Sequence, residues 1–300
     1  MWFLFAVLTA LLWGAADLFY KKGTVAEDKY SPMKIVVAVG VVMGIHAIIY
    51  IFVESVSFTF LDVVKYLPIS AMYIISMWIG YKGLRYLDLS ISSPVQNASG
   101  ALVVLLLLIF FQSHVTVLDI IGIVIIFAGI FGMGIIEKKQ GDYVPLVDSD
   151  KKYQVSVLAI LFPILYCIID ALGTFGDGVV LDELALISED AALVAYELTF
   201  LACAIVCLIY LLVKKQKFSF KEDKDKFIAA IFETGGQFFY VFAMAGNAVI
   251  AVPLIGAYCI FSVILSRIFL KEKLTKWQLV VAITVILGII LLGISEGLQS

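Results

Sequence analysis

Charge is scarce in this sequence. Only 15% of its 300 residues are Asp, Glu, Lys or Arg, and 63% are hydrophobic. A soluble domain carries about a quarter charged residues. Polar stretches are short as well. The longest are 137–153, 176–189 and 214–225, so no soluble catalytic domain fits. The net charge is −3 with no basic domain, which excludes nucleic acid as a partner. Cysteine is sparse: Cys167, Cys203, Cys207 and Cys259, with no CxxC pair and no zinc spacing. Cys203 and Cys207 share a helical face, which suits packing. The two histidines, His46 and His114, stand too far apart in sequence to suggest a metal site, and His46 reads as a packing residue. No GxxxxGK[ST] stretch occurs, so ATP drive is not expected. No cofactor is called for.

What is present falls in apolar blocks of twenty or so residues. A helix of that length crosses a hydrocarbon core of roughly 30 Å. The blocks place helices near 2–20, 33–53, 62–82, 91–112, 117–136, 154–175, 190–213, 226–246, 248–270 and 277–295. The first block has no basic start and runs a full span, so it does not read as a cleaved signal. The expected fold is an all-α integral membrane protein with ten transmembrane helices. Twenty of the 21 basic residues lie in the odd-to-even connections, and only Lys65 lies on the other side. Basic residues stay cytoplasmic. Both termini of this multi-pass cell-membrane protein are therefore expected outside.

The chain also repeats itself. "PVQNASGALVVLLLLIF" (94–110) is echoed by "PLIGAYCIFSVILSRIF" (253–269), an offset of 159. At that offset Tyr81 meets Tyr240, Thr116 meets Thr275, Gly129 meets Gly288 and Glu137 meets Glu296. At an offset of 153, "LLWGAAD" (11–17) lies over "ILYCIID" (164–170). The expectation is a first five-helix repeat over 1–137, a cytoplasmic linker over 138–153 and a second repeat over 154–300. Five is odd, so the second copy enters inverted, the architecture of secondary transporters.

These features resemble the EamA-type branch of the drug/metabolite transporter superfamily. The features that carry the resemblance are Trp13-Gly14 in the first helix, Pro94 and Pro253 opening the fourth and ninth, and the Gly-rich fifth and tenth helices. The short loop "LKEKLT" (270–275) is similar to the family's Gly-Glu-Arg-Leu-Thr motif. Its partner "QSHVT" (112–116) keeps the Thr and loses the charges. The resemblance implies a ten-helix carrier, often an exporter of amino acids or other small metabolites.

Four carboxylates fall deep in the expected spans: Asp17, Asp170, Glu197 and Glu233. An acid at mid-helix costs about 2.5 to 3.5 kcal/mol on insertion scales. Each must face a wet cavity, pair or hold a proton, so all four are candidates for proton coupling. Trp13 precedes Asp17 by one turn, and Tyr166 precedes Asp170 by one turn, so each ring shares a face with its acid. Glu233, Gly236, Gln237 and Tyr240 form a polar stripe on the eighth helix. The aligned stretch of the third helix offers Tyr73, Met77, Trp78 and Tyr81. Between Pro94 and Pro253 and the helix ends, one copy carries Gln96, Asn97 and Ser99 and the other carries Ile255, Gly256 and Tyr258. Each proline frees a backbone carbonyl that can line a cavity.

The expected function is secondary active transport of a small polar metabolite, an amino acid or an amine, by proton coupling or exchange. The solute site is expected to hold Asp17, Asp170, Trp13, Tyr166, Tyr73, Trp78, Asn97, Glu233, Gln237 and Tyr258. The partners are lipid and a small solute, and the pattern does not decide between monomer and homodimer. Two rivals remain. One is a passive channel or facilitator. The other is an intramembrane aspartyl protease, but "GTFGDG" (173–178) has Thr174 where the Gly-x-Gly-Asp motif needs glycine. Its Asp177 also falls at a helix end, in the 176–189 connection.

Overall fold

In a computed structural model, residues 1–25, 27–86, 89–111, 115–140, 157–269 and 275–299 are described. The described residues form helices and no strand. In chain order these are α1 (Trp2–Gly23), α2 (Ser31–Val53), α3 (Phe60–Gly83), α4 (Leu89–Asn97), α5 (Ser99–Phe110) and α6 (Val117–Gln140). Then come α7 (Val157–Asp177), a π-helical turn (Gly178–Glu183), α8 (Glu189–Val213), α9 (Lys224–Gly256), α10 (Tyr258–Phe269) and α11 (Lys276–Gln299). Most of the linker 138–153, the loop 270–274 and His114 lie outside the described residues, as does the side chain of Pro94.

Twelve elements reduce to ten spans because two spans are broken and one reversal is tight. α4 and α5 are halves of the fourth span, interrupted at Ala98. α9 and α10 are interrupted at Ala257, 159 residues later. At both alanines the chain tightens to an i to i+3 bond: Ala101 N–H to Ala98 O (3.1 Å) and Ile260 N–H to Ala257 O (3.0 Å). Pro253 lies one turn before the second break and has no N–H to give to Val249 O. α9 contains the eighth span and the first half of the ninth. The chain reverses between them at Asn247, whose φ and ψ of −174° and 88° leave the helix. That residue is the one-residue gap expected between 226–246 and 248–270.

The helix contacts recur when the first and second halves of the chain are exchanged. α1 packs along α9 and its mate α7 packs along α3. α1 meets α10 as α7 meets α5. The self-related pairs α2 with α8 and α6 with α11 also touch. The pairs approach closely because small residues sit between them, the usual device where lipid removes a hydrophobic drive. Gly40 lies against Phe200 and Ala204, and Gly44 lies against Leu201. A methyl on Gly122 would come within 3.3 Å of Gly288 O, and one on Gly288 within 3.2 Å of Gly122 O. Large apolar side chains such as Leu105, Val124, Val206, Ile209, Ile283 and Ile290 point outward. That outward apolar surface is what a hydrocarbon solvent requires.

One expectation fails here. Asp177, read as a loop acid, is the last residue of α7 and is fully buried. The helix does not stop at Gly176. It runs on through Asp177 and widens to i to i+5 bonds in the π turn, as in Leu184 N–H to Val179 O.

Candidate functional site

The two units enclose a central cavity. From α1 come Trp13, Asp17 and Tyr20, and from α3 come Tyr73, Met77, Gly80 and Tyr81. α4 and α5 add Gln96, Asn97, Ser99 and Gly100, all at the broken turn. α7 adds Tyr166, Asp170 and Thr174, and α8 adds Tyr196. α9 supplies Glu233, Gln237 and Tyr240, then Val252, Ile255 and Gly256, and α10 begins with Tyr258. The two helix breaks thus face the same space. Their tightened turns also lie close to each other: a Cβ on Gly256 would sit 3.8 Å from Asn97 O.

The carboxylates are held differently. Asp17 Oδ2 accepts hydroxyl hydrogens from Ser93 of α4 and Ser262 of α10, both at 2.8 Å. α1 is thereby tied to one half of each broken span. Asp170 Oδ2 accepts from Ser99 of α5 at 2.8 Å. At the repeat offset the residues matching Ser93 and Ser262 are Val252 and Val103, so the inverted mate of the Asp17 cradle is apolar. Glu233 lines the same cavity, and Trp13 Nε1 donates to its backbone carbonyl at 3.3 Å. The Trp13 ring lies 5.1 Å from that of Tyr240 and 5.8 Å edge-on from that of Tyr258. Gln237 is buried, and its Nε2 has no hydrogen-bond partner among the described residues. Asn97 Nδ2 instead turns back to Ser93 O at 2.9 Å.

Nine of the ten residues expected in a solute site line this cavity. Trp78 does not: it is 41% exposed on the outer side of α3, with the Lys82 ammonium 6.0 Å from its ring. Tyr73, Met77 and Tyr81 define the inner face of α3, and Trp78, next to Met77 in sequence, falls off that face. Glu197 also lies elsewhere. It is fully buried in α8 and pairs with His46 Nδ1 of α2 at 2.8 and 2.9 Å. His46 therefore has an acid partner where the sequence reading had only packing. The four cysteines are free thiols. Among the described residues no group of His, Cys, Asp and Glu could hold a metal ion.

Several residues escaped sequence reasoning. Ser93 and Ser262 look like ordinary small residues of apolar helices. Tyr20 continues the face of Trp13 and Asp17 at i, i+4 and i+7, a usable signal. Asp177 had a usable signal. Tyr166, Asp170, Thr174 and Asp177 recur at i, i+4, i+8 and i+11, one helical face running into the supposed loop. Asp177 accepts the hydroxyl of Tyr66 on Oδ1 and those of Tyr73 (2.8 Å) and Tyr240 (2.9 Å) on Oδ2.

Comparison with known proteins adds the following. The profile of the EamA-like transporter family matches residues 1–135 and 156–294. No curated protein matches the chain in sequence. A solved structure titled only "Crystal structure of protein" superposes with a TM-score of 0.69 at 13% identity. The match covers 99% of this chain and 98% of that one, and it speaks for the fold alone.

Proposed function

Because the chain belongs to the EamA-like transporter family, and so is a multi-pass membrane protein of the drug/metabolite transporter type, we propose that its central cavity is the solute site of a secondary carrier. One observation carries this reading. Asp17, Asp170 and Glu233 meet the rings of Trp13, Tyr166, Tyr240 and Tyr258 in one space between the inverted units. Such a space suits a small cationic or zwitterionic solute, an amine or an amino acid. An ammonium gains about 2 kcal/mol from a ring face once desolvated, and more from a carboxylate. Ser93 and Ser262 hold Asp17 Oδ2, and no described donor is bonded to Oδ1, which is left for the solute. Gln237 Nε2 supplies a donor for its other end.

A low-dielectric site holds negative charge sparingly. A bound cation and a bound proton then compete for the same carboxylates, and that competition couples their movements. In this reading one of Asp17 and Asp170 binds the amine, and the other, or Glu233, carries a proton. The basic connections favour an orientation with both termini extracytoplasmic and 137–153 and 214–225 cytoplasmic.

Liposome counterflow tests the carrier. A solute is first chosen by thermal shift against amino acids and amines, since binding stabilises by about 2.7 kcal/mol at a hundredfold excess over Kd. Exchange of labelled for unlabelled solute is expected, and a channel would not show it. Asp17→Asn and Asp170→Asn keep shape and remove charge. At least one is expected to abolish pH-gradient-driven uptake in folded protein. If both transport like the parent with the same pH profile, the solute site lies elsewhere.

A further inference from the structure

The oxygens around Asp177 pose a counting problem. Tyr73 Oη lies 2.6 Å from Tyr240 Oη, and the two lie 2.8 and 2.9 Å from Asp177 Oδ2. Three oxygens thus form a closed triangle with three hydrogen-bond contacts. Two phenols bring two hydrogens, and each hydrogen fills one side. The third side needs another hydrogen. Tyr66 does not supply it, because its hydroxyl is given to Oδ1. Thr174 does not either: its Oγ1 lies 3.0 Å from Tyr73 Oη and bonds neither other corner, so a hydrogen on that contact fills no side of the triangle. With an ionised carboxylate one contact of the triangle would be two lone pairs facing each other. With Asp177 protonated, its own O–H completes the ring.

We propose that Asp177 is a proton-binding site of the transport cycle, filled in this conformation and connected to the cavity through Tyr73 and Tyr240. The proposal rests on the carrier reading above and deepens it by naming an acid outside the solute contacts. The surroundings support a neutral occupant. Asp177 is fully buried, and no described lysine, arginine or histidine forms an ion pair with it. The titratable groups facing it are Tyr66 and Tyr73 from α3, Tyr240 from α9 and, through its ring 5.9 Å from Tyr73, Tyr196 of α8. On its own element Asp170 lies two turns back, with its Oδ2 held by Ser99. Asp182, in the π turn, accepts from Ala248 N–H at 2.7 Å. None of these is a cation that would hold a bare carboxylate.

The path is short. Tyr73, Tyr240 and Thr174 line the cavity as well as the triangle. A proton arriving from the cavity at Tyr73 Oη displaces that hydroxyl's own hydrogen onto Asp177 Oδ2. The reverse shift releases it, and no bond other than O–H changes. Loading and unloading also change what holds α3 to α9. Filled, the triangle keeps the direct Tyr73–Tyr240 contact. Emptied, both phenols turn their hydrogens to the carboxylate and that contact opens. At the other end of the cavity the corresponding positions differ. The repeat mate of Asp177 is Thr24, whose hydroxyl is given to Tyr20 O at 2.8 Å, and the mate of Tyr240 is Tyr81.

Infrared difference spectra of the purified protein between acid and alkaline pH test this without a solute. The parent is expected to show a protonated carboxyl C=O band that Asp177→Asn removes and that Asp17→Asn, Asp170→Asn and Glu233→Gln leave in place. Tyr240→Phe and Tyr73→Phe each delete one side of the triangle. Each is expected to move the midpoint of that band by one pH unit or more, a tenfold change in proton affinity, in protein with an unchanged elution profile. A residue that only packs would move stability and not this midpoint. The proposal is overturned if Asp177→Asn leaves every titrating band intact. It is equally overturned if both phenylalanine variants titrate like the parent, a result that stands even where Asp177→Asn does not fold. Loss of solute exchange in Asp17→Asn and Asp170→Asn bears on the carrier reading alone, so the two can fail separately.

Discussion

At Gly236 a hydrogen in place of a methyl decides where Trp13 sits. An added Cβ would overlap the indole, while at neighbouring Gly235 it would meet only Leu12 Cδ1 at an ordinary 3.5 Å. Gly236→Ala is therefore expected to lower stability by about 1–3 kcal/mol through overpacking and to weaken solute binding as the ring is driven toward Asp17. Gly235→Ala is expected to hold or raise the melting temperature, because alanine is the better helix former by about 1 kcal/mol. Thermal melts of the two variants side by side check both signs. The serines on Asp17 give a second residue-scale outcome. Hydrogen bonds to charged groups contribute about 1.5–3 kcal/mol, so Ser93→Ala or Ser262→Ala is expected to weaken solute binding about tenfold. Both bond the same oxygen, so a double-mutant cycle is expected to show that the losses do not add.

At the scale of elements, the ends and breaks of helices matter more than their middles. The segment after Asn247 begins with amide groups that no helical carbonyl can take. Asn247 Oδ1 accepts from Ile250 N–H at 3.2 Å, and Asp182 accepts from Ala248 N–H. Asn247→Ala is expected to cost about 0.5–2 kcal/mol, the worth of a cap. Asn247→Asp is expected to keep most of it, as read by melting temperature. The same logic recurs at both repeat copies. Thr116 is capped by Asp119 and Thr275 by Gln278, each bonding back to the threonine N–H, at 2.9 and 2.7 Å. The repeat kept the geometry and changed the acceptor from carboxylate to amide. The two spans that pack on each other, α6 and α11, thus start from the same local device.

For the whole molecule the expectation concerns orientation. A cysteine placed at the C-terminus, in a background freed of Cys167, Cys203, Cys207 and Cys259, is expected to react with an impermeant maleimide on intact cells. Labelling only after permeabilisation would mean the reverse orientation. The asymmetry of the two cavity ends belongs to this scale too. Inverted units that differ only in side chains can bind an asymmetric solute and a proton at different depths, the condition for coupling one to the other.

Much of this was legible in the sequence. The apolar blocks, their basic connections and the gapless offset of 159 are properties of short stretches and of their spacing. Hydrocarbon imposes them directly, because a span must be about twenty residues and must satisfy its own backbone. So the ten spans, the inverted repeat, the gap at Asn247 and nine of the cavity residues could be read without coordinates. The rest was set by contacts between distant parts of the chain. Ser262 reaches Asp17 across 245 residues, Glu197 reaches His46 across 151, and Tyr66 reaches Asp177 across 111. No local pattern encodes such a pair, because an acid can stand out in its helix while the residue it reaches does not. Only packing decided that Trp78 turns outward, that His46 meets an acid, and that Asp177 closes a triangle of oxygens. The physical reason is that burial in a membrane makes each polar side chain find a partner, and helix packing alone determines which partner is within reach.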